Sequence, residues 1–207
     1  DVANAGSNAV LFDFIGHGSN QRKLVNQPTE ITGTTQQLVN QLSDVIKFVY
    51  EKFGNEIIIS LVGHSMASDI VIRASADERV KSVIAISPYS TGITKYFPKD
   101  LLLISGQFEN HLRSHALQMV KTFKPEVSEN TEYADEKTRR KASYVQNTGH
   151  VSVIYAPQTT RIIIDWLKLE NYERPFWKTH MGWIMIGITF IVIGLSRLNI
   201  NLINQTT

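Results

Sequence analysis

Glu56-Ile57-Ile58-Ile59-Ser60-Leu61-Val62-Gly63-His64-Ser65-Met66-Ala67 decides how the rest of the chain is read. Glu56 to Val62 is β-branched and almost continuously apolar, as a strand covered on both faces must be. Met66 to Ala76 continues with helical spacing, so the sequence predicts strand, turn and helix in immediate succession. Gly63-His64-Ser65-Met66-Ala67 is the turn. A strand-to-helix turn tight enough to lift a Ser hydroxyl above a sheet needs small residues two before and two after that Ser; Gly63 and Ala67 meet the need. The helix that starts behind Ser65 aims backbone N–H groups and a positive dipole end at negative charge developing on a reacting group.

Outward from this turn the alternation repeats. Upstream, Thr34 to Phe53 carries Leu38, Leu42, Val45, Ile46 and Val49 at helical spacing and closes at Gly54. Before it, Asn8 to Phe14 is a short apolar run read as a strand, bounded by Gly6 and by Gly16-His17-Gly18. Downstream, Val80 to Ser87 and Leu101 to Ser105 read as two further buried strands, Glu109 to Phe123 as a helix, and Lys141 to Val145 as the last strand. Thr159 to Leu169 is an amphipathic helix offering Ile162, Ile163, Trp166 and Leu167. The polar stretch Lys124 to Arg140 reads as a solvated loop. Strands alternating with helices imply the α/β class: a mostly parallel sheet with helices on both faces and its chemistry at the carboxyl ends of the strands.

Composition excludes several classes of function. The 207 residues suit one domain of ordinary size with a proper core. A net charge of +2, with no block of like charge, gives no footprint for nucleic acid. With no Cys there is no disulfide, no thiolate zinc site and no Cys nucleophile. His111 and His115 have helical metal-ligand spacing, but no third ligand stands at a suitable spacing, so they read as a solvated helix face. Neither a metal nor a cofactor is expected.

A Ser hydroxyl becomes a useful nucleophile only when a base takes its proton and a third group orients that base. The expected chain order is Ser, acid, His, each after a strand. Leu101-Leu102-Leu103-Ile104-Ser105-Gly106-Gln107-Phe108-Glu109 is a strand, a Gly turn and a carboxylate. Gln146-Asn147-Thr148-Gly149-His150-Val151-Ser152 puts a His in the loop after the last strand. His17 and His64 sit in the motif turns, where packing and local hydrogen bonds are their expected work; His64 also borders the mouth of the site.

From its first residues to about Tyr172 the chain resembles the α/β-hydrolase superfamily. Asn8-Ala9-Val10-Leu11-Phe12-Asp13-Phe14-Ile15-Gly16-His17-Gly18-Ser19 is similar to that family's strand and turn ending in D-x-x-G-x-G-x-S. By this resemblance Ser65 matches the nucleophile, Glu109 the triad acid, His150 the general base and the Met66 N–H an oxyanion donor. Ala67 stands where the family usually has Gly. Two other carboxylates compete for the acid's role: Asp100, which precedes its strand and so falls at the wrong end of the sheet, and Asp135, in a loop. The family's preceding strand, whose loop supplies a second oxyanion N–H, would lie before Asp1, so an N-terminally truncated hydrolase domain is expected. Related hydrolases often insert a cap between the strands ending near Ser87 and starting near Leu101. Pro88 to Asp100 leaves no room for one, implying an open site rimmed by Tyr89, Tyr96 and Phe97.

Beyond the expected domain at 1–172 and a linker at 173–180, Met181 to Leu198 is apolar except for Gly, Thr189, Ser196 and Arg197. At ~1.5 Å per residue it is about 27 Å long, close to the hydrocarbon thickness of a bilayer. Trp177 and Trp183, with Arg174, Lys178 and His180, stand where interfacial anchors belong, and residues 199–207 form a tail. Lys168, Arg174 and Lys178 before the span, against Arg197 after it, favour a cytoplasmic hydrolase domain. The expectation is therefore a membrane-anchored serine hydrolase acting on a small-molecule or lipid acyl ester, thioester or amide. The competing expectation is a non-catalytic domain of the same fold used for binding or assembly at a membrane.

Overall fold

A computed structural model of the chain describes residues 2–24, 31–169 and 184–191. Contacts divide it into two units, Asp1–Leu169 and Glu170–Thr207. In the first unit, strands β1 (Ile59–His64), β2 (Val80–Ile86), β3 (Asp100–Gly106), β4 (Glu132–Ala134) and β5 (Arg139–Val145) form one sheet in the order β1-β2-β3-β5-β4. All neighbours are parallel except β4, which runs antiparallel to β5. The helices are α1 (Gln36–Phe53), α2 (Met66–Ala74), α3 (Asn110–Lys121), α4 (Ser152–Tyr155) and α5 (Pro157–Leu167).

The continuous apolar runs are explained by burial on both faces of the sheet. Val83, Ala85, Leu101 and Leu103 pack on one side with Leu38, Leu42 and Ile46 of α1, Ile70 and Val71 of α2, and Met119 and Val120 of α3. Their alternates Ile84, Ile86, Leu102 and Ile104 pack on the other side with Val153, Ile163 and Trp166. Period-two alternation thus sends half of each strand into each layer, leaving no polar face to mark the strands.

Several elements differ from the sequence reading. The first strand starts at Ile59 instead of Glu56, because Ile58 is exposed and pairing with β2 begins only at Ile59–Val80. The helix expected from Thr34 starts at Gln36, behind a kinked π-turn over Ile31–Thr35. The stretch expected to be loop contains β4, whose exposed, polar pattern hides it from a search for apolar periodicity. Asn8–Phe14 is not a strand and joins no ladder among the described residues. A cavity of about 970 Å³ is lined by Asn8 to Phe12 and by β1, and Leu11 is 94% exposed. Here the backbone is fastened to α1 instead: Gln41 donates to the Asp13 carbonyl at 3.0 Å and accepts from the Ile15 N–H at 2.8 Å. The turn that follows closes through the Ser19 N–H, which donates to the Asp13 carboxylate at 2.8 Å. A Cβ at Gly18, where φ is +53°, would collide with that carboxylate.

Arg140, a cation at the second position of β5, is fully buried. Its guanidinium donates to the carbonyls of Met119 (3.1 Å), Thr94 (2.5 Å), Phe97 (3.1 Å) and Pro98 (3.3 Å) and to the Thr122 hydroxyl (2.6 Å). Desolvation pushes its pKa down to about 10, which leaves it charged at neutral pH. The side chain ties the β2–β3 connection to the C-terminal end of α3, where the helix dipole favours a cation.

In the second unit residues 184–191 are helical, with Ile184, Met185, Ile188, Phe190 and Ile191 exposed. No helix among the described residues is long and apolar enough to cross a membrane. The expected linker, most of the expected span at 181–198 and the tail lie outside the described residues.

Candidate active site

The site assembles where β1, β2, β3 and β5 end. Ser65 follows the last residue of β1 with φ 56° and ψ −122°, a conformation that costs of order 1–3 kcal/mol unless its surroundings impose it. Two neighbours impose it. Its N–H donates to the carbonyl of Ile86 on β2 at 2.9 Å, while its own carbonyl accepts from the Ser68 N–H at 2.9 Å. Gly63 is required by close approach, since a Cβ there would overlap the Ala67 carbonyl. Met66 opens α2, so its N–H has no acceptor within the helix.

Glu109 and His150 are brought together by a seam between the turn after β3 and the loop after β5. The N–H groups of Gln107 and Phe108 donate to the carbonyls of Val145 (2.9 Å) and Thr148 (3.0 Å), and the Asn147 N–H donates to the Gln107 side chain at 2.7 Å. The two segments lie so close that a Cβ at Gly106 would sit 2.7 Å from the Thr148 carbonyl oxygen. Glu109 stands at the N-cap of α3 and its side chain is 6% exposed. Its Oε2 accepts from the Gly106 N–H at 2.5 Å and the Ser87 hydroxyl at 2.9 Å. Its Oε1 faces His150 Nδ1 at 2.7 Å, and His150 Nε2 lies 3.0 Å from Ser65 Oγ. Hydroxyl, imidazole and carboxylate thus form one hydrogen-bonded line. His64 adds a brace, with Nε2 2.8 Å from the His150 carbonyl oxygen.

Both rival carboxylates are engaged elsewhere. Asp100, at the start of β3, accepts from Arg139 Nε at 2.7 Å and from the Ser82 hydroxyl at 2.5 Å. Asp135 turns the chain between β4 and β5 and accepts the N–H groups of Lys137 and Thr138. Those bonds, Lys137 first, hold its carboxyl below the usual carboxylate range.

Residues 1–177 match the alpha/beta hydrolase fold. The chain belongs to that family.

A solved structure similar to this alpha/beta hydrolase is that of a predicted CIB-like hydrolase from Thermoplasma acidophilum. The TM-score is 0.51 at 16% identity, over 75% of this chain and 69% of the other, a likeness of fold alone. No curated protein matches the chain.

The hydrolase site opens into a cavity of about 410 Å³ lined by Ser65, Met66, Ser87, Tyr89 and His150, with Ile70 and Leu112 as further apolar wall and Thr35 and Asp69 as polar wall. Tyr89, one of the three expected rim residues, lines this cavity and is stacked on His115 at 4.7 Å. Tyr96 and Phe97 do not line this cavity; they belong to the loop that Arg140 holds. Asp69 is occupied by Arg73 Nε at 2.8 Å and the Ser90 hydroxyl at 2.5 Å. Among the described residues no three His, Asp or Glu side chains are grouped to hold a metal ion. Sequence reasoning missed Ser87 and the Gly106 N–H. The available signal for Ser87 was a hydroxyl ending a buried strand just ahead of Pro88.

Proposed function

We propose that this alpha/beta hydrolase is a membrane-anchored serine hydrolase that cleaves an acyl ester, thioester or amide through an acyl-enzyme. The observation that carries the reading is the line from Ser65 Oγ through His150 to Glu109, at 3.0 and 2.7 Å. His150 Nε2 takes the Ser65 proton as Oγ attacks the acyl carbonyl, and the Met66 N–H holds the resulting oxyanion. The same proton passes to the leaving group as the carbon–heteroatom bond breaks. A water then gives its proton to Nε2 and attacks the acyl-enzyme; return of the proton to Ser65 releases the acid. Glu109 keeps the proton on Nδ1 and stabilises the imidazolium. Met66, Ile70, Tyr89 and Leu112 favour an acyl chain over a charged peptide terminus, which puts esterase or lipase-like chemistry ahead of peptidase chemistry.

The anchor rests on sequence: the apolar run Met181 to Leu198, its flanking Trp177 and Trp183, and the cations Lys168, Arg174 and Lys178 that favour a cytoplasmic hydrolase domain. Carbonate extraction of membranes carrying the full chain should leave it in the pellet; release to the supernatant would overturn the anchor. The chemistry is tested by fluorophosphonate labelling in those membranes with peptide mapping. Label on Ser65, absent in Ser65→Ala and weakened in His150→Gln, is the expected result. A folded protein that takes no label would instead favour a non-catalytic domain used for binding.

A further inference from the structure

We propose that Ser87 is a positioning residue for this hydrolysis, and that the tip of β2 holds nucleophile and acid in a single register. The inference rests on the Ser65–His150–Glu109 reading. The last carbonyl of β2, that of Ile86, accepts the Ser65 N–H at 2.9 Å, so the nucleophile's turn hangs on β2. The next residue, Ser87, sends its N–H to the Ile104 carbonyl of β3 at 2.6 Å and its hydroxyl to Glu109 Oε2 at 2.9 Å. Two consecutive residues therefore grip the two ends of the hydrogen-bonded line.

The backbone at Ser87 is informative. Its φ is +49°, in the region that favours Gly. A side chain kept there at an energetic cost points to work done by that side chain. The residue is 1% exposed, so its hydroxyl spends its bond on Glu109 and not on solvent. A hydroxyl has one proton to donate, and here it goes to a carboxylate, making a charge-assisted bond. With the Gly106 N–H also on Oε2 at 2.5 Å, that oxygen is doubly held and Oε1 is left to His150. Removing the hydroxyl leaves one donor on Oε2, and the carboxylate is then free to swing out of the imidazole plane.

The test compares Ser87→Gly, Ser87→Ala and Ser87→Cys in the full chain, with p-nitrophenyl butyrate as the probe and Glu109→Gln as control. Gly suits the backbone, so this variant separates the hydroxyl from folding. Cys keeps the shape but donates weakly. All three should lower kcat about tenfold to a hundredfold, the range for losing a hydrogen bond to a charged group, with KM within about twofold. Ser87→Gly at wild-type kcat beside an inactive Glu109→Gln would overturn the proposal and leave the triad reading standing. Full activity in Ser87→Cys would also overturn it, because packing alone would then suffice. Full activity in Glu109→Gln would remove the triad reading, and this inference with it.

Discussion

Replacing Glu109 by Gln should be far more damaging than the loss of one charge suggests, for a reason visible in the donors around it. Oε2 receives two hydrogen bonds, from the Gly106 N–H at 2.5 Å and the Ser87 hydroxyl at 2.9 Å. In Glu109→Gln the amide oxygen must occupy that place, since an amide nitrogen would set donor against donor. The NH2 group is then directed at His150 Nδ1, where a carboxylate oxygen now sits at 2.7 Å. A neutral imidazole facing that donor carries its proton on Nε2, so it cannot accept one from Ser65. Enforcing the wrong tautomer of a general base lowers kcat about 10⁴-fold, or about 5 kcal/mol of barrier. The assay is ester turnover in membranes, with circular dichroism to show that the fold persists. Nitrogen-15 spectra of His150 should move the proton from Nδ1 in the parent to Nε2 in Glu109→Gln. Adding Ser87→Gly should cost nothing further, because two changes acting on one geometry are not additive. A folded Glu109→Gln that keeps more than about a tenth of wild-type kcat would refute this account of the site.

Four other substitutions probe the rival carboxylates and the frame of the domain. Asp100→Asn and Asp135→Asn should leave fluorophosphonate labelling of Ser65 at its parental rate, because neither carboxylate reaches His150; a lost label in either would reassign the acid. Arg140→Met strips a charged donor from the carbonyls of Thr94, Phe97, Pro98 and Met119. Leaving those buried carbonyls without their donor costs about 3 kcal/mol, roughly 6–12 °C in Tm for a chain of this size, readable by thermal or urea unfolding. The Asp77 carboxyl is held below its usual range, chiefly by the side-chain hydrogen bond from Arg79. The folded state therefore binds this proton less tightly than the unfolded state. Its stabilisation is present above the unfolded pKa and is lost as pH falls through the lower folded value. The stability gap between the parent and Asp77→Asn should stay level from about pH 7 to 5 and shrink below about pH 4.

Much of this molecule was legible in its order of residues. Continuous apolar strands with helices between them require burial on both sheet faces, which leads to a parallel α/β sheet without any knowledge of contacts. Gly63-His64-Ser65-Met66-Ala67 is local chemistry as well: a turn that tight tolerates few residue types, so composition and conformation are tied together within five positions. Other features depended on neighbours distant along the chain. Asn8 to Phe14 has a strand's composition, yet a strand exists only where a neighbouring strand offers it a ladder, and among the described residues none does. β4 is polar and forms because β5 offers it a ladder. Of Asp100, Glu109 and Asp135, it is the Glu109 carboxylate that lies 2.7 Å from His150, a meeting that spacing along the chain does not reveal. Ser87 shows the same division. Its place at the end of a buried strand is written in the sequence, but its hydroxyl meets Glu109, 22 residues away, only because β2 and β3 are adjacent and the backbone turns to positive φ at that point. Sequence determines which local conformations are cheap; the meeting of side chains from separate strands follows from sheet order, which the packing of the whole domain selects.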